Sequence, residues 1–526
     1  MSTFDIWARN FLDRRVQQEG FDPSRHSFTV FSPKMQFIET LLTGHLTNFY
    51  YMSREDVLRQ SLMLHERILM EDPNFHLLAL QFARHISFKK DQIVLGLITR
   101  ASKGYIDDAL IDLLADFPPN VVLHRFYEQI KLGIVPRTVS KKKIVKTLAR
   151  VVDKWKEEGK LPLFAVKYRK DLRDIVRITH TMVPGDVWAV IFRRREYYPL
   201  ITDPFLRGYL KFLELVRQKK YNEALEVASS VRLPFSIVRS SVPSLYWNEK
   251  ILDTMTNLDL AMFSISLYKT YRTELINKLV ETVEKRGRNI PSWYSARTLL
   301  ACLDRLGIDN ELTIAWGKAF ATSVAETWKK INVHGLELEN AKILLILDAS
   351  GSMWPTDWRG VMWRGIAAVA PLAENVKGLI MYSDEADFEE PKLLKTLDGW
   401  VQLRKIATLK YNQGTDLAAA LFEAVDEVKR GEYTDVLIIT DEQVNINKLP
   451  YRELELLQEI VKHCNVMILN PTPYPVHVAD PSRIRYVFGL QAEDVLTSLI
   501  LTRLLKDEEK IAKTLELTIY ASCSRP

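Results

Sequence analysis

Apolar residues recur at intervals of three and four positions along the chain up to about residue 335. This spacing puts them on one face of an α-helix, so each such segment predicts an amphipathic helix that buries that face. Strand-like alternation of apolar and polar residues is almost absent here. The predicted helices are 34–46, 53–71, 76–85, 90–101, 107–114, 119–133, 141–158, 204–217, 221–230, 270–285 and 292–306.

These helices follow one another with brief polar links and without one long heptad pattern, which predicts an all-α domain over residues 1–337. The rhythm is typical of stacked helix pairs of the HEAT type, in which each pair buries its apolar face on its neighbours. No strict sequence period accompanies the rhythm. A compact, non-repeating all-α domain is therefore the alternative.

The pattern changes near residues 336–341, after which short apolar runs alternate with helical segments. The runs are 343–347, 378–382, 435–440, 466–470 and 485–489, and the helical segments are 361–372, 415–429, 451–463 and 491–505. This alternation predicts a parallel sheet with helices on both faces. We therefore expect a doubly wound α/β domain over residues 338–526.

Five oxygen-bearing side chains lie in three loops of this second domain. Asp348, Ser350 and Ser352 occupy alternate positions directly after an apolar strand, Thr415 precedes a helix, and Asp441 follows a second strand. Ligand sites in open α/β sheets lie at the carboxyl edge of the strands. Because a hard cation such as Mg²⁺ prefers oxygen ligands, these residues predict a divalent metal site, with Mg²⁺ as the metal.

Chemistry at this site is not indicated. Ser350 stands where a haloacid-dehalogenase phosphatase would have a second Asp, and no Gly-x-Ser-x-Gly elbow with a partnered His is present. Two carboxylates and three hydroxyls leave a cation incompletely neutralised, which favours an acidic ligand from a partner. An interpretation without metal also exists, in which the serines cap a helix and the aspartates end strands.

Composition places the chain among ordinary globular proteins, with 526 residues, 47% hydrophobic and 26% charged. The cysteines Cys302, Cys464 and Cys523 are scattered without a Cys-x-x-Cys pair, which argues against a zinc site or a disulfide framework. No signal-peptide pattern and no apolar run of about 18 residues is found. We therefore expect a cytoplasmic monomer without membrane contact.

Positive charge is concentrated in the middle of the helical region. Between Lys131 and Lys220 the sequence has 23 Lys or Arg and 9 Asp or Glu, an excess of 14, whereas the whole chain has a formal net charge of +6. Such an excess fits a phosphate-rich partner, although a solvated helix face would give the same composition. One dense row would repel itself unless phosphate neutralised it. The row is predicted to bind RNA and consists of Lys141, Lys142, Lys143, Lys146 and Arg150.

The order Asp-x-Ser-x-Ser, Thr, Asp across three loops resembles the metal-ion-dependent adhesion site of von Willebrand factor A domains, and all five positions match. With the helical region included, the chain resembles the Ro autoantigen family, in which a TROVE module of HEAT-like helices precedes such a domain. The likeness includes residues 159–180, 300–306, 382–385 and 414–416. Relatives insert several residues after Lys170, and this chain does not.

The resemblance implies a helical ring that is closed by the A domain. Single-stranded ends of misfolded noncoding RNAs would enter the hole, and Y RNA would bind the outer surface, in RNA quality control or ribonucleoprotein assembly. An exoribonuclease is a further candidate partner. By position, Lys167, Arg169 or Lys170, and His180 match the family's Y RNA contacts. For His180 the alternative is a helix C-terminal histidine bonded to backbone carbonyls.

Aromatic residues are interleaved with these charges and could stack on bases. Helical repeats bury aromatics at the same spacing, so burial in the core is the leading interpretation for most of them. The residues are Trp155, Tyr168, Trp188, Phe192, Tyr197 and Tyr198.

Three functions are compatible with the sequence. The first is a noncatalytic RNA-binding protein of the Ro type with a divalent cation in its A domain. The second is a metal-dependent scaffold that binds acidic partner proteins, and the third is a nuclease or metal-dependent hydrolase. The third has the least support, because neither a second carboxylate pair nor a His cluster is found.

Overall fold

A computed structural model of the chain describes residues 32–43, 54–86, 90–131, 139–270, 273–330, 340–410, 414–441, 450–471, 484–488, 495–496, 499–500, 504 and 511–516. The chain divides into two compact units, Pro33–Thr256 and the residues from Asn257 onward. The domain boundary predicted near residue 338 lies outside the described residues. The second unit thus combines four helices of the predicted all-α region with the α/β sheet.

The first unit is built from helices. They are α1 (Pro33–Thr43), α2 (Arg54–Glu71), α3 (Pro73–Ile86), α4 (Lys90–Lys103), α5 (Asp108–Ala115), α6 (Pro119–Lys131), α7 (Val139–Glu157), α8 (Leu161–Lys167), α9 (Arg169–Thr179), α10 (Gly185–Ile191), α11 (Pro204–Arg217), α12 (Tyr221–Ser230), α13 (Phe235–Ser241) and α14 (Lys250–Thr254). Helix α4 packs on α2, α3, α6 and α7, and α7 packs on α4, α5 and α9. Packing between helices close in sequence is the arrangement of helical repeats, which confirms the predicted class.

Local sequence signals set where these helices begin. The side chain of Asp107 accepts a hydrogen bond from the backbone N–H of Leu110 at the start of α5, and Asp203 does the same for Leu206 in α11. Such caps satisfy backbone donors that have no partner inside the helix. Pro204 at the first position of α11 adds a backbone angle suited to a helix start.

Two histidines lie in the buried core between α2 and α3. His65 Nδ1 is 3.2 Å from His76 Nε2, both residues are fully buried, and the ring of Phe37 packs against each imidazole. Burial lowers the pKa of His65 from 6.5 to about 4 and lowers that of His76 well below its ordinary value. Gly96 gives the pair its space, because a Cβ there would lie 2.5 Å from His65 Cε1.

The first unit is expected to lose stability in mild acid because of this pair. An unfolded His65 takes up a proton below pH 6.5, whereas the folded imidazole stays neutral down to about pH 4. The stabilising contribution is therefore complete above pH 7 and is lost between pH 6.5 and 4, with a magnitude of about 3 kcal/mol for this histidine. Urea unfolding at pH 7.5 and 4.5 should show that the free energy of unfolding changes less with pH in His65→Gln than in the unmodified protein. Equal dependence in both proteins would contradict this assignment.

The second unit joins helices to a six-stranded sheet. Its helices are α15 (Asn257–Thr270), α16 (Thr273–Arg286), α17 (Ser292–Leu306), α18 (Glu311–Lys330), α19 (Val361–Val369), α20 (Leu397–Lys410), α21 (Leu417–Lys429) and α22 (Pro450–Val461). Its strands are β1 (Ile343–Asp348), β2 (Val376–Tyr382), β3 (Ala386–Glu389), β4 (Asp435–Ile439), β5 (Asn465–Asn470) and β6 (Ile484–Phe488). The strand order β3-β2-β1-β4-β5-β6 puts β1 at the centre.

The sheet confirms the predicted doubly wound α/β class. Every neighbouring pair is parallel except β2 and β3. Helices α21 and α22 pack on one face against a core that includes Ile346 and Ile438. On α19, the missing Cβ of Gly365 allows close approach to Ile439, whose Cγ2 would otherwise lie 2.4 Å away.

The structure adds one strand to the elements predicted from the sequence. The antiparallel edge strand β3 was not predicted, because its exposed, mixed sequence has no apolar pattern. Most of the predicted helix 491–505 lies outside the described residues. No helix in the described ranges is long and apolar enough to cross a membrane.

Candidate metal site and nucleic-acid interface

The central strands β1 and β4 end side by side at one edge of the sheet. Leu347 pairs with Ile439 in parallel register, so Asp348 at the end of β1 comes level with Thr440, the residue after β4. Asp441 follows directly and is buried, with 3% of its surface exposed. The fold therefore brings both predicted carboxylate ligands to the same edge.

Asp348 is fully buried and held by three hydrogen bonds. Its Oδ1 accepts from the backbone N–H of Ser350 at 2.8 Å, and its Oδ2 accepts from the hydroxyls of Thr440 at 2.8 Å and Tyr382 at 3.2 Å. Burial raises the pKa of Asp348 to about 6, with a further increase from the charge of Asp441. The carboxyl is thus fixed in position while its negative charge is poorly compensated.

The serines of the same loop lie beside this carboxyl. Ser350 is buried, and its hydroxyl oxygen lies 3.2 Å from that of Ser352. The backbone N–H of Ala349 donates to the backbone carbonyl of Tyr382 at 2.8 Å, which extends the pairing of β1 with β2 by one residue. The loop is therefore attached to the sheet at its first residue and leaves the strand with both hydroxyls close together.

Thr415 reaches the same edge through a different connection. It is buried, and the following residue, Asp416, donates its backbone N–H to the carbonyl of Ser383 at 2.6 Å. Ser383 directly follows β2, the neighbour of β1. Asp416 also caps α21 by accepting from Ala419 N–H. The third predicted loop is thus tied to the end of β2, the neighbour of the β1 end that carries Asp348, Ser350 and Ser352.

The donor set suits a hard divalent cation. It consists of two buried carboxylates and three hydroxyls, which are oxygen ligands of the type Mg²⁺ prefers. The charge of Asp348 is not balanced by any Lys or Arg among the main influences on its pKa. Clusters of three or more His, Cys, Asp or Glu able to hold a metal are not found in the described residues. Hydroxyl ligands are therefore essential to this candidate.

Three residues near the site were not singled out from the sequence. Tyr382 and Thr440 hold Asp348, and their role depends on strand register, which a single sequence does not reveal. Glu453 on α22 is buried, its Oε2 has no hydrogen-bond partner, and burial raises its pKa to about 7, with a contribution from Asp416. Because Glu453 lies within a predicted helix, the sequence alone did not mark it as part of a site.

The predicted RNA-binding row on α7 is partly neutralised within the chain. Lys142 and Lys146 are exposed, whereas Lys143 Nζ donates to the carbonyl of Lys103 at 3.2 Å. Arg150 pairs with Asp108 across to α5 at 2.5 Å. The row was expected to need phosphate, but Arg150 already has a carboxylate partner. The side chain of Lys141 lies outside the described residues.

A second cationic surface lies on α8, α9 and the segment after α10, and within it Arg173 pairs with Asp174 and Arg194 with Glu196. Lys167 and Lys170 are exposed, and Arg169 is partly buried, with its pKa lowered by burial and by the nearby Arg193. His180 ends α9 in a left-handed conformation and is exposed, and its side chain makes no hydrogen bond within the described part of the chain. The alternative in which His180 bonds backbone carbonyls is therefore not supported. We call the following residues the α9 surface: Lys167, Arg169, Lys170, Arg173, Arg177, His180, Arg193, Arg194 and Arg195.

The aromatic residues divide between core and surface. Trp155 is fully buried, which agrees with the core interpretation, whereas 37% of Trp188 and 47% of Tyr197 is exposed. Arg194 lies over the Trp188 ring at 5.7 Å, and Arg177 lies over Phe192 at 5.3 Å. Exposed rings next to guanidinium groups could stack on bases.

Comparison with known proteins gives a structural likeness. No protein-family model and no curated protein sequence matches the chain. The crystal structure of the Ro (RSR) protein of Deinococcus radiodurans is similar, with a TM-score of 0.63 and 18% sequence identity. The likeness covers 90% of this chain and 99% of the Ro chain. The chain therefore has the fold of a Ro protein over most of its length.

Proposed function

We propose that the protein is a noncatalytic RNA-binding protein of the Ro type. The observation that carries this proposal is the α9 surface, where exposed cations and two exposed aromatic rings lie together. Phosphates attract such cations without regard to sequence, and single-stranded bases stack on such rings. The Ro fold of the chain supports the same conclusion.

The proposed RNA ligands are those that the Ro resemblance implies. Y RNA would bind the α9 surface, and misfolded noncoding RNAs would bind through their single-stranded ends. The role would be RNA quality control or ribonucleoprotein assembly in the cytoplasm, with an exoribonuclease as a candidate partner. We propose that the protein acts as a monomer.

We also propose a divalent cation, Mg²⁺, at the site of Asp348, Ser350, Ser352, Thr415 and Asp441. When bound, the metal would supply a positive charge that attracts an acidic group of a partner, and that group could complete its coordination. Asp348 and Asp441 would neutralise most of that charge, and the hydroxyls would fill further positions. Tyr382 and Thr440 would keep the Asp348 carboxyl in place through their hydrogen bonds.

Charge reversal on the α9 surface is expected to weaken RNA binding strongly. The variant Lys167→Glu/Lys170→Glu removes two phosphate contacts and adds repulsion, so we expect a loss of about 100-fold in affinity, or about 2.8 kcal/mol. Affinity of the unmodified protein should fall linearly with the logarithm of salt concentration, with a slope of about −0.7 for each phosphate contacted on a single strand. Fluorescence anisotropy with a structured RNA that ends in a single-stranded 3′ tail measures both.

The matched control is Lys269→Glu/Lys285→Glu, which makes the same charge change at exposed lysines of α15 and α16. This control should bind RNA almost as well as the unmodified protein. If both double variants bound equally, or if affinity did not depend on salt, the RNA proposal would be wrong. If RNA affinity did not depend on salt and the protein instead bound an acidic protein only in the presence of metal, the scaffold function would be favoured.

A further inference from the structure

An open cavity of about 370 Å³ lies between α17 and α19 in the second unit. On α17 its lining residues recur at three- and four-residue intervals, so they share one face of the helix. None of its lining residues belongs to the metal set or to the α9 surface. Its lining consists of Arg297, Leu300, Ala301, Asp304, Arg305, Trp358, Arg359, Arg364, Ala367 and Ala368.

The charge of the lining is strongly positive. It contains four guanidinium groups and one carboxylate, and that carboxylate, Asp304, is paired with Arg359. Arg305 and Arg364 are exposed and have no acidic partner among the described residues. Guanidinium groups bind phosphate through pairs of parallel hydrogen bonds, so two unpaired arginines at one cavity favour a phosphorylated ligand.

The floor of the cavity is apolar. Leu300, Ala367 and Ala368 are buried, and the small alanine side chains leave the space open. Trp358 forms one wall and is kept in place by Trp363, at 4.4 Å between ring centroids, and by Arg404, at 4.9 Å from its ring. Pockets of about 300 to 1,000 Å³ accommodate small organic ligands. A planar base would lie on this floor while its phosphate reaches the arginines.

We propose that this cavity binds a nucleoside phosphate, as a free mononucleotide or as the terminal nucleotide of an RNA chain. The two sources have the same chemistry, a base for the apolar floor and a phosphate for Arg305 and Arg364. Binding of a free mononucleotide would be a function in addition to the proposed RNA binding. Binding of an RNA end, in contrast, rests on the proposed RNA function. No residue of the α9 surface lines this cavity, so failure of the RNA proposal would remove the RNA-terminus source and leave binding of a free mononucleotide to be tested by itself.

Isothermal titration of the full chain with adenosine 5′-monophosphate, adenosine, inorganic phosphate and a 5′-phosphorylated five-nucleotide RNA tests the proposal. The mononucleotide or the RNA, or both, should bind at least about tenfold more tightly than adenosine or phosphate alone. Binding of the mononucleotide only identifies a free nucleotide as the source, and binding of the RNA only identifies an RNA end. If neither binds, or if phosphate binds as tightly as the better of the two, the proposal is overturned.

Two variants locate the binding in the cavity. Arg305→Gln/Arg364→Gln should weaken the interaction at least about tenfold, and Ala301→Phe, which fills the space, should do the same. Arg288→Gln, at an exposed arginine elsewhere in the second unit, should leave it unchanged. The arginines are exposed, so their replacement should not affect folding even if the Phe variant proves unstable. Unchanged binding by the double arginine variant would overturn the proposal.

Discussion

Replacing Asp348 with Asn is expected to abolish the response of the second unit to Mg²⁺ while making that unit more stable without metal. In the unmodified protein, Mg²⁺ at about 100 times its Kd should stabilise the folded state by about 2.7 kcal/mol. The variant lacks a ligand charge and should show no such increase. Thermal unfolding with and without millimolar Mg²⁺ measures both effects.

The gain in stability without metal follows from burial. The raised pKa of Asp348, about 6 instead of 3.8, corresponds to about 3 kcal/mol by which the fold disfavours the charged carboxyl at pH 7. An Asn side chain has the same shape, and its oxygen can still accept from the N–H of Ser350. Its amide can donate to the hydroxyl oxygens of Thr440 and Tyr382, both of which donate to Asp348 Oδ2 in the unmodified protein.

The control for this experiment is Asp435→Asn at the opposite end of the sheet. Asp435 begins β4, is buried, and accepts hydrogen bonds from Asn465 Nδ2 at 2.9 Å and Thr434 Oγ1 at 2.6 Å. The control variant should retain the full response to Mg²⁺. A response to Mg²⁺ in Asp348→Asn equal to that of the unmodified protein would rule out the metal site.

Truncating Trp155 to Ala is expected to destabilise the first unit by about 4 kcal/mol, because a large buried side chain leaves a cavity that its neighbours fill only in part. Trp155 is completely buried, its Nε1 donates to the carbonyl of Ala115 at 2.9 Å, and its ring meets Phe164 edge-on at 5.3 Å. It thereby links α7 to α5 and α8. Urea unfolding monitored by circular dichroism measures the loss.

The partly exposed Trp188 provides the comparison for that variant. Trp188→Ala removes the same atoms from a site that is 37% exposed, so it should cost about 1 kcal/mol or less. If Trp188 stacks on bases, its variant should instead weaken RNA binding at nearly unchanged stability. Equal destabilisation by both substitutions would show that the two tryptophans have similar structural roles, contrary to their different burial.

Long, regular elements of this fold could be predicted from the sequence. The pattern over 292–306 gave α17 with the same bounds, and the pattern over 141–158 gave α7 to within two residues. Short helices were missed, among them α8 and α10 with seven residues each, because two turns contain too few apolar positions to reveal a period. The strand β3 was missed for a similar reason, since its four exposed or half-buried residues form no apolar pattern.

The candidate sites differ in how close together their residues lie in the sequence. The Asp348 loop carries three of its five metal residues within five positions, so its chemistry was visible before the fold. The hydrogen bond from Thr440 to Asp348 joins residues 92 positions apart and depends on strand register. The arginine-rich cavity brings together α17 and the segment that leads into α19, where Asp304 and Arg359 pair across 55 positions of sequence. No spacing rule could have found it.

The antiparallel strand β3 also bears on how the protein behaves at high concentration. An edge strand exposes unpaired backbone groups that can recruit a strand from another molecule, which leads to aggregation. Here the strand has only four residues, and it carries Asp387 and Glu389, with Asp387 paired to Lys410. Addition of a foreign strand would have to strip water from both carboxylates and bring them close to the newcomer. The β3 edge of the sheet thus resists growth into larger assemblies.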